Sequence, residues 1–227
     1  MKPQTQLAAS LLALALFAGP AAAQRNAGNT YQWYWGAQAG ILGYKTNLQP
    51  LHFDPMIGGH WFITAKRTAL YVAYEQGFFL TAARAQVQDP NSSTGVRDVS
   101  FKDIRRVMLG VVAMPVSGHI QPLFGGGFAL VQILNPIVDC SGADATTTCA
   151  SLADSSQAQI AANNAASKAF AWVMGGLQLN FGRLALFGHA MATSSAQTFL
   201  LDGTTFVVQG GVRYSLGTSK EDITEDH

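Results

Sequence analysis

The histidines are the first residues to consider for chemistry, because a histidine beside a hydroxyl can activate it as a nucleophile. His189 is the candidate, and Thr193 shares its face of an extended strand four residues further along. Four residues of strand span about 13 Å, which is too far for the hydrogen bond that activation requires. Asp202, the nearest acid, falls in a predicted loop. We therefore expect no catalytic residue and a hydrogen-bonded interior position for His189.

Cysteine and glycine patterns are the other candidates for chemistry. Cys140 and Cys149 form a close pair within one polar segment, which in an exported protein predicts a disulfide, with two free thiols as the alternative. Further ligands nearby and a CxxC spacing are both missing, so neither a metal site nor a redox site is expected. The run 125–127 is all glycine but has no helix after it, which indicates close backbone packing and not a phosphate loop. No cofactor is predicted.

Composition narrows the class of protein. Charged residues make up only 12% of the 227 residues, hydrophobic residues 48%, and the mean hydropathy is +0.16. This excludes a disordered chain and a nucleic-acid partner, because a basic surface needs charge that the chain lacks. Residues 1–23 are typical of a signal peptide, with Lys2, an apolar run over 7–19 and small residues before a cleavage point after Ala23. A membrane anchor is the alternative, but the run is shorter than the ~20 residues of a spanning helix.

Extended segments that alternate in polarity must position any functional group in the rest of the chain. The connections between these segments are alternately short and long, as they are between the strands of an outer-membrane barrel. We predict an all-β, eight-stranded antiparallel up-and-down transmembrane β-barrel over 24–216, with a polar periplasmic tail over 217–227. A soluble barrel such as a lipocalin is the alternative, although it would usually carry more charge on its outward faces. The eight segments are 31–43, 55–65, 68–79, 104–114, 119–133, 169–180, 183–195 and 204–216.

Alternation also predicts which side chains face the interior. Eight strands enclose a lumen that side chains fill, so we expect no continuous aqueous channel. A buried charge there needs a partner, and similar heights above the inner turns suggest a Glu75–Arg106 pair. If Arg105 faces the lumen instead, the faces of that whole strand are exchanged. The predicted polar network of the lumen is Gln38, His60, Glu75, Arg106, Gln121, Gln178, His189, Gln209 and Arg213.

Three strands carry a resemblance to a known family. Residues Ile120–Phe128 resemble the Pro-Tyr-x-Gly-x-Gly-x-Gly strand of OmpA/OmpX-type small outer-membrane barrels. Residues Gly36–Gly40 are similar to the opening strand of that family, and Val208–Tyr214 to its closing strand. The resemblance implies an outer-membrane protein of a diderm bacterium, with periplasmic termini. The implied role is non-enzymatic, in envelope integrity or surface interaction.

Two other functions and several partners remain expectations. One alternative is a lipid A deacylase-like enzyme, but that family has a His-x-Ser pattern where His189 is followed by Ala190 and Met191. The other is an OmpW-like conduit for small hydrophobic molecules, which would need an apolar lumen. Expected partners are outer-membrane lipid and lipopolysaccharide, the barrel-insertion machinery, and a surface partner through loop 134–168. A short helix after Asp154 is expected in that loop.

Overall fold

The computed structural model describes residues 30–142, 146–194, 196 and 198–220, so the predicted signal peptide lies outside the described residues. Within them no helix combines the length and the apolar character needed to cross a membrane. The elements in chain order are β1 Thr30–Tyr44, β2 His52–Ala65, β3 Thr68–Gln88, β4 Val96–Ala113, β5 Ile120–Leu134, β6 Ile137–Val138, α1 Leu152–Ala165, β7 Ser167–Phe181, β8 Leu184–Thr193 and β9 Thr205–Lys220.

The eight long strands form one closed antiparallel barrel. Each pairs with its sequence neighbour, β5 pairs with β7, and β1 lies beside β9, so no edge of the barrel wall remains open. Closure is what allows a sheet to sit in lipid, because every backbone polar group of the wall finds a partner. The predicted fold class is confirmed.

Three strands, β3, β4 and β9, extend well beyond the segments that the sequence pattern indicated. The predicted connection 80–103 shrinks to the tip 89–95, since β3 and β4 continue pairing after a register shift between Phe78 and Ala83. The extension of β3 alternates between buried and exposed side chains, but charged residues occur on both faces of the paired extensions, with Arg84 exposed and Arg97 and Asp98 buried, which concealed the strand pattern. At the other end β9 runs to Lys220, so 217–220 belong to this strand and not to the predicted tail.

The two faces of the wall separate as predicted. On β1, Trp35 and Ile41 are about half exposed, whereas Tyr34 and Leu42 are buried in the lumen. The same alternation holds along β9, where Val208 and Val212 face outward and Arg213 is fully buried. The outward positions form an apolar belt around the barrel, as a hydrocarbon environment requires.

Glycines on the inward face make room for the large lumen side chains. A Cβ on Gly36 would lie 2.2 Å from Cε1 of His60, and a Cβ on Gly58 would lie 2.9 Å from Cγ of Glu75. Gly110 leaves comparable room for the indole of Trp172. The high glycine content of the chain therefore serves packing, because each such glycine admits a bulky side chain from another strand of the wall.

Two consecutive glycines provide a test of this packing. A Cβ on inward-facing Gly176 would lie 2.3 Å from the carbonyl oxygen of Gly188, whereas a Cβ on outward-facing Gly175 would meet nothing closer than 3.9 Å. We expect Gly176→Ala to lower the free energy of unfolding by about 1–3 kcal/mol through overpacking. Gly175→Ala, the control, should change it by less than about 0.5 kcal/mol. Denaturant unfolding of the refolded barrel measures both, and equal stabilities of the two variants would contradict the proposed packing.

Candidate functional site

The barrel interior holds most of the polar residues singled out from the sequence. Eight of the nine are almost completely buried, namely Gln38, His60, Glu75, Arg106, Gln178, His189, Gln209 and Arg213. The ninth, Gln121, is only half-buried and makes no hydrogen bond with the described residues. It lies opposite Gln178 in the register, one residue from the inner end of β5. Gln121 shares the inward face of β5 with buried Leu123, so its membership of the network stays a prediction.

Glu75 is the centre of the upper part of the network. Its Oε1 accepts hydrogen bonds from Nε2 of Gln38 at 2.7 Å and from Nε2 of Gln209 at 2.6 Å. Its Oε2 lies 3.5 Å from Nη1 of Arg106, and the register sets the two residues directly opposite each other. The ion pair expected from the sequence is present, and Arg106, not Arg105, faces the lumen.

Arg213 holds a second positive charge lower in the lumen. Its guanidinium lies between the rings of Phe62 and Phe187, with Cζ 4.1 Å from each centroid. Its Nε donates to Nε2 of His60 at 2.7 Å, and Nη1 donates to Oε1 of Gln178. Within the described residues no carboxylate lies within 4 Å of it, so two aromatic faces stabilise this cation in place of an anion.

These side chains leave little space for a solute. The cavity lined by Arg106, Leu42 and Thr193 has a volume of about 10 Å³, which corresponds to roughly one water molecule. Such a water would find polar partners there, because Nε and Nη1 of Arg106 lack a hydrogen bond within the described residues.

His189 does not lie beside a nucleophile. Its Nε2 is 3.0 Å from Nε2 of Gln209, and its ring stacks on Phe187 with a centroid distance of 5.5 Å. The hydroxyl of Thr193 accepts a hydrogen bond from Nη2 of Arg106 instead. Among the described residues, His189 is therefore held in the lumen by Gln209 and Phe187.

Sequence reasoning missed several lumen residues that hold the polar groups in place. Phe62 and Phe187 lie two residues from His60 and His189, and Tyr71 lies four residues from Glu75. The same alternation that identified the polar residues puts these aromatic residues on the inward face. Their roles could not be found from the pattern alone, because the contacts of Arg213 run between strands far apart in sequence.

Above the barrel, the extensions of β3 and β4 form a hairpin with both edges covered. The backbone N–H groups of Arg84 and Gln86 donate to side-chain oxygens of Gln49 and Asn47, each at 2.8 Å. The other edge pairs with β6. Covering both edges prevents the hairpin from pairing with another chain, and the loops around it form a structured head over the barrel.

Arg97 joins three segments of this head. Its side chain is almost completely buried. Its Nε donates to Oδ2 of Asp89 at 2.9 Å, its Nη2 to Oδ2 of Asp154 at 2.6 Å, and its Nη1 to the carbonyl of Thr148. Burial acts to lower the pKa of Arg97, but the hydrogen bonds to Asp89 and Asp154 and the negative charges of these carboxylates together outweigh it, so the net shift of that pKa is upward. The guanidinium therefore fixes the hairpin tip, the disulfide loop and α1 together.

The long loop before β7 is ordered by a disulfide and a helix. Cys140 and Cys149 are bonded, as predicted. The helix α1 begins at Leu152, three residues earlier than a start directly after Asp154, because Ser151 caps it by accepting a hydrogen bond from the N–H of Asp154. Gln159 then binds the β6 segment through the carbonyl of Pro136 at 2.7 Å. The loop is thereby fixed on the head.

A cleft of about 590 Å³ opens between the hairpin, α1 and the loop before β9. Buried apolar side chains, Val87 and Leu200, line its floor together with half-buried Phe199. Exposed amides of Gln88 and Asn164 line its rim, and neither makes a hydrogen bond within the described residues. This combination suits a ligand that has both polar and apolar groups.

Both charged residues in the cleft wall are already engaged. Nζ of Lys168 contacts the hydroxyl of Thr198, and the carboxylate of Asp202 lies 3.2 Å from Nζ of Lys45. One positive and one negative side chain cancel, so the lining favours a neutral ligand over an ion.

Comparisons with known proteins identify the fold. No protein-family profile matches the chain, and no curated protein matches it. Among solved structures, Neisserial surface protein A is 13% identical, with a TM-score of 0.51 over 80% of this chain and 96% of that one. The N-terminal β-barrel domain of Pseudomonas aeruginosa OprF is 9% identical, with a TM-score of 0.44 over 80% and 97%. The outer membrane protein AlkL is 15% identical, with a TM-score of 0.28 over 92% and 97%. With its closed eight-stranded wall and filled lumen, this chain has the fold of the small outer-membrane β-barrels of the OmpA/OmpX type.

Proposed function

We propose that this chain is an integral outer-membrane protein without enzymatic activity, which serves surface interaction through the cleft in its head. The observation that carries the proposal is the contrast between the two ends of the molecule. The lumen is filled by a connected network, whereas the head is a built structure with an open cleft of about 590 Å³. A lumen filled with side chains supports a role of the barrel as a membrane anchor. An ordered head with an open cleft supports binding of a ligand at the cell surface.

The apolar belt supports the membrane location. Outward-facing side chains such as Leu109, Phe128 and Val173 are more than half exposed. A soluble monomer rarely exposes so large a continuous apolar surface to water. The short turns of such barrels face the periplasm and the longer loops face outside, so the head belongs on the cell surface.

The chemistry of the cleft favours a neutral oligosaccharide as ligand. Rim amides both donate and accept hydrogen bonds, which matches sugar hydroxyls, and the floor offers the ring of Phe199 for the apolar face of a sugar. An N-acetyl group would add a methyl contact with the floor and an amide contact with the rim.

The alternative functions receive less support from the lumen. A conduit for small hydrophobic molecules needs an apolar passage, but the interior here is crossed by Glu75, Arg106 and Arg213. A hydrolase needs a hydroxyl within hydrogen-bond reach of a histidine, and His189 and His60 contact Gln209 and Arg213 instead.

The test uses the chain refolded in detergent, with tri-N-acetylchitotriose as the probe. A shift in gel mobility between boiled and unboiled samples reports the closed barrel, and calorimetric titration reports binding. We expect a Kd below about 1 mM and a loss of at least about 10-fold in Ala161→Phe, which fills the cleft. Ile160→Phe is the control, because Ile160 is exposed on the same helix and does not line the cleft.

The outcomes separate the two parts of the proposal. Solubility in plain buffer without a mobility shift would overturn the membrane location. A mobility shift without binding, or with equal binding by wild type and Ala161→Phe, would overturn recognition through the cleft. Envelope integrity would then be the better role, and detergent sensitivity of cells lacking the protein would reveal it.

A further inference from the structure

Arg105 is a positive charge on the outward face of the barrel wall. It is half-buried on β4, between the buried residues Ile104 and Arg106. From Val107 to Ala113 on the same strand, and on the adjoining parts of β3 and β5, no outward-facing side chain is charged. From the inner turn toward the head, Arg105 is therefore the first charge on the outward face of this part of the wall.

The described part of the chain supplies no anionic partner for Arg105. Its Nε is buried without a hydrogen bond, and no carboxylate lies within 4 Å of the guanidinium, although Asp103 is only two residues away. Its guanidinium lies over the ring of Tyr74 instead, with 5.6 Å between Cζ and the ring centroid. A guanidinium in this position is stabilised on one side by an aromatic ring and open on the other.

The residues beside Arg105 extend its hydrogen-bonding capacity. The register places Gln76 of β3 and Gln132 of β5 directly opposite it on the two neighbouring strands, so all three lie in one row on the outward face. Exposed Lys102 precedes the row on β4 and adds a second positive charge. Just outside it on β3, Phe78 and Leu80 are exposed apolar side chains.

A phosphate group fits this arrangement. Guanidinium and phosphate form paired, charge-assisted hydrogen bonds, and amides on either side can donate to the remaining phosphate oxygens. Basic residues near the end of an apolar belt attract anionic lipid headgroups, and on the belt side of the row exposed Val107 and Leu130 offer a surface for acyl chains. The row lies toward the head, and hence toward the outer leaflet.

We propose that Arg105, flanked by Gln76 and Gln132, binds a phosphate group of lipopolysaccharide in the outer leaflet. This inference rests on the proposed membrane location but is independent of the cleft. In this arrangement a lipid phosphate binds to the barrel wall at the level of the headgroups.

The experiment measures lipid binding to the refolded barrel by native mass spectrometry. Diphosphorylated lipid A and phosphate-free lipid A are titrated separately into the detergent-solubilised protein, after gel mobility has confirmed a closed barrel. We expect diphosphorylated lipid A to bind the wild type at least about 10-fold more tightly, and Arg105→Gln to lose most of that difference. Arg183→Gln is the control, because it removes the same charge at the turn on the opposite side.

Each result has a distinct meaning. Equal binding of both lipids by the wild type, or an unchanged preference in Arg105→Gln, would overturn the phosphate site. Saturation of the same preference by inorganic phosphate alone would assign the site to free phosphate and not to lipid. A dimer that depends on Arg105 in phosphate-free lipid would show that a second copy of the chain occupies the row. A missing mobility shift would overturn the membrane location itself.

Discussion

Glu75→Gln is expected to lower the free energy of unfolding of the barrel by about 3–5 kcal/mol. The substitution keeps the shape of the side chain and removes its charge, so Arg106 is left as an uncompensated cation in the lumen. Glu75 and Arg106 are both almost completely buried, so solvent cannot replace the lost partner. Denaturant unfolding of the refolded protein, followed by gel mobility and circular dichroism, measures the change.

A double-mutant cycle separates the ion pair from the rest of the network. Arg106→Met removes the cation, and we expect Glu75→Gln with Arg106→Met to lose about 1–3 kcal/mol less than the sum of the single variants. Gln76→Ala is the control, because Gln76 is the next residue but faces outward, and it should change stability by less than about 0.5 kcal/mol. Strict additivity of the two lumen substitutions would contradict a coupled pair.

Alternation of polarity was sufficient to predict the barrel wall and the inward face of polar residues such as Glu75 and Arg106. Gln209 and Arg213 lie on the inward face because successive side chains of a strand point to opposite sides. The same rule, together with equal distances from the inner turns, matched Glu75 with Arg106. These predictions depend only on local periodicity and short turns, which a single sequence contains.

The contacts that determine how the lumen and the head work are long-range, and no local pattern contains them. Arg213 lies between Phe62 and Phe187, whose positions depend on closure of the barrel. The head was harder still, because charged positions interrupt the strand pattern after Ala83. Arg97 in particular looks like a surface charge in sequence, and only the packing of α1 and the disulfide loop buries it.

Arg97→Met is expected to loosen the head while leaving the barrel wall intact. The substitution removes a buried cation from between Asp89 and Asp154, whose carboxylates would then be buried without it. Removing the cation is strongly destabilising where the carboxylate left behind is buried, as that of Asp89 is, so amide hydrogen exchange in the outer hairpin and α1 should accelerate by about 100-fold or more. Exchange in the lower parts of β5 and β7 should remain unchanged.

The control for this prediction lies on the same hairpin. Arg84 also pairs with an acid, its Nη2 lying 2.9 Å from Oδ2 of Asp98, but more than half of its side chain is exposed. A solvated pair contributes only about 0–1 kcal/mol, so Arg84→Met should accelerate exchange far less than Arg97→Met. Equal effects of the two substitutions would show that burial of Arg97 does not stabilise the head.

The pH dependence of the head follows from the same contacts. The backbone N–H of Ala150 and then the guanidinium of Arg97 hold the pKa of Asp154 below its usual value, against the opposing effect of burial. A carboxylate with a lowered pKa stabilises the folded head above its unfolded pKa of about 4, and that contribution is lost as the pH falls through the lowered value. In Arg97→Met the pKa of Asp154 should rise, so acid should open the head at a higher pH than in wild type. Arg97 stays charged throughout this range. If wild type and Arg97→Met open the head at the same pH, the Arg97–Asp154 contact is not what holds α1 in place.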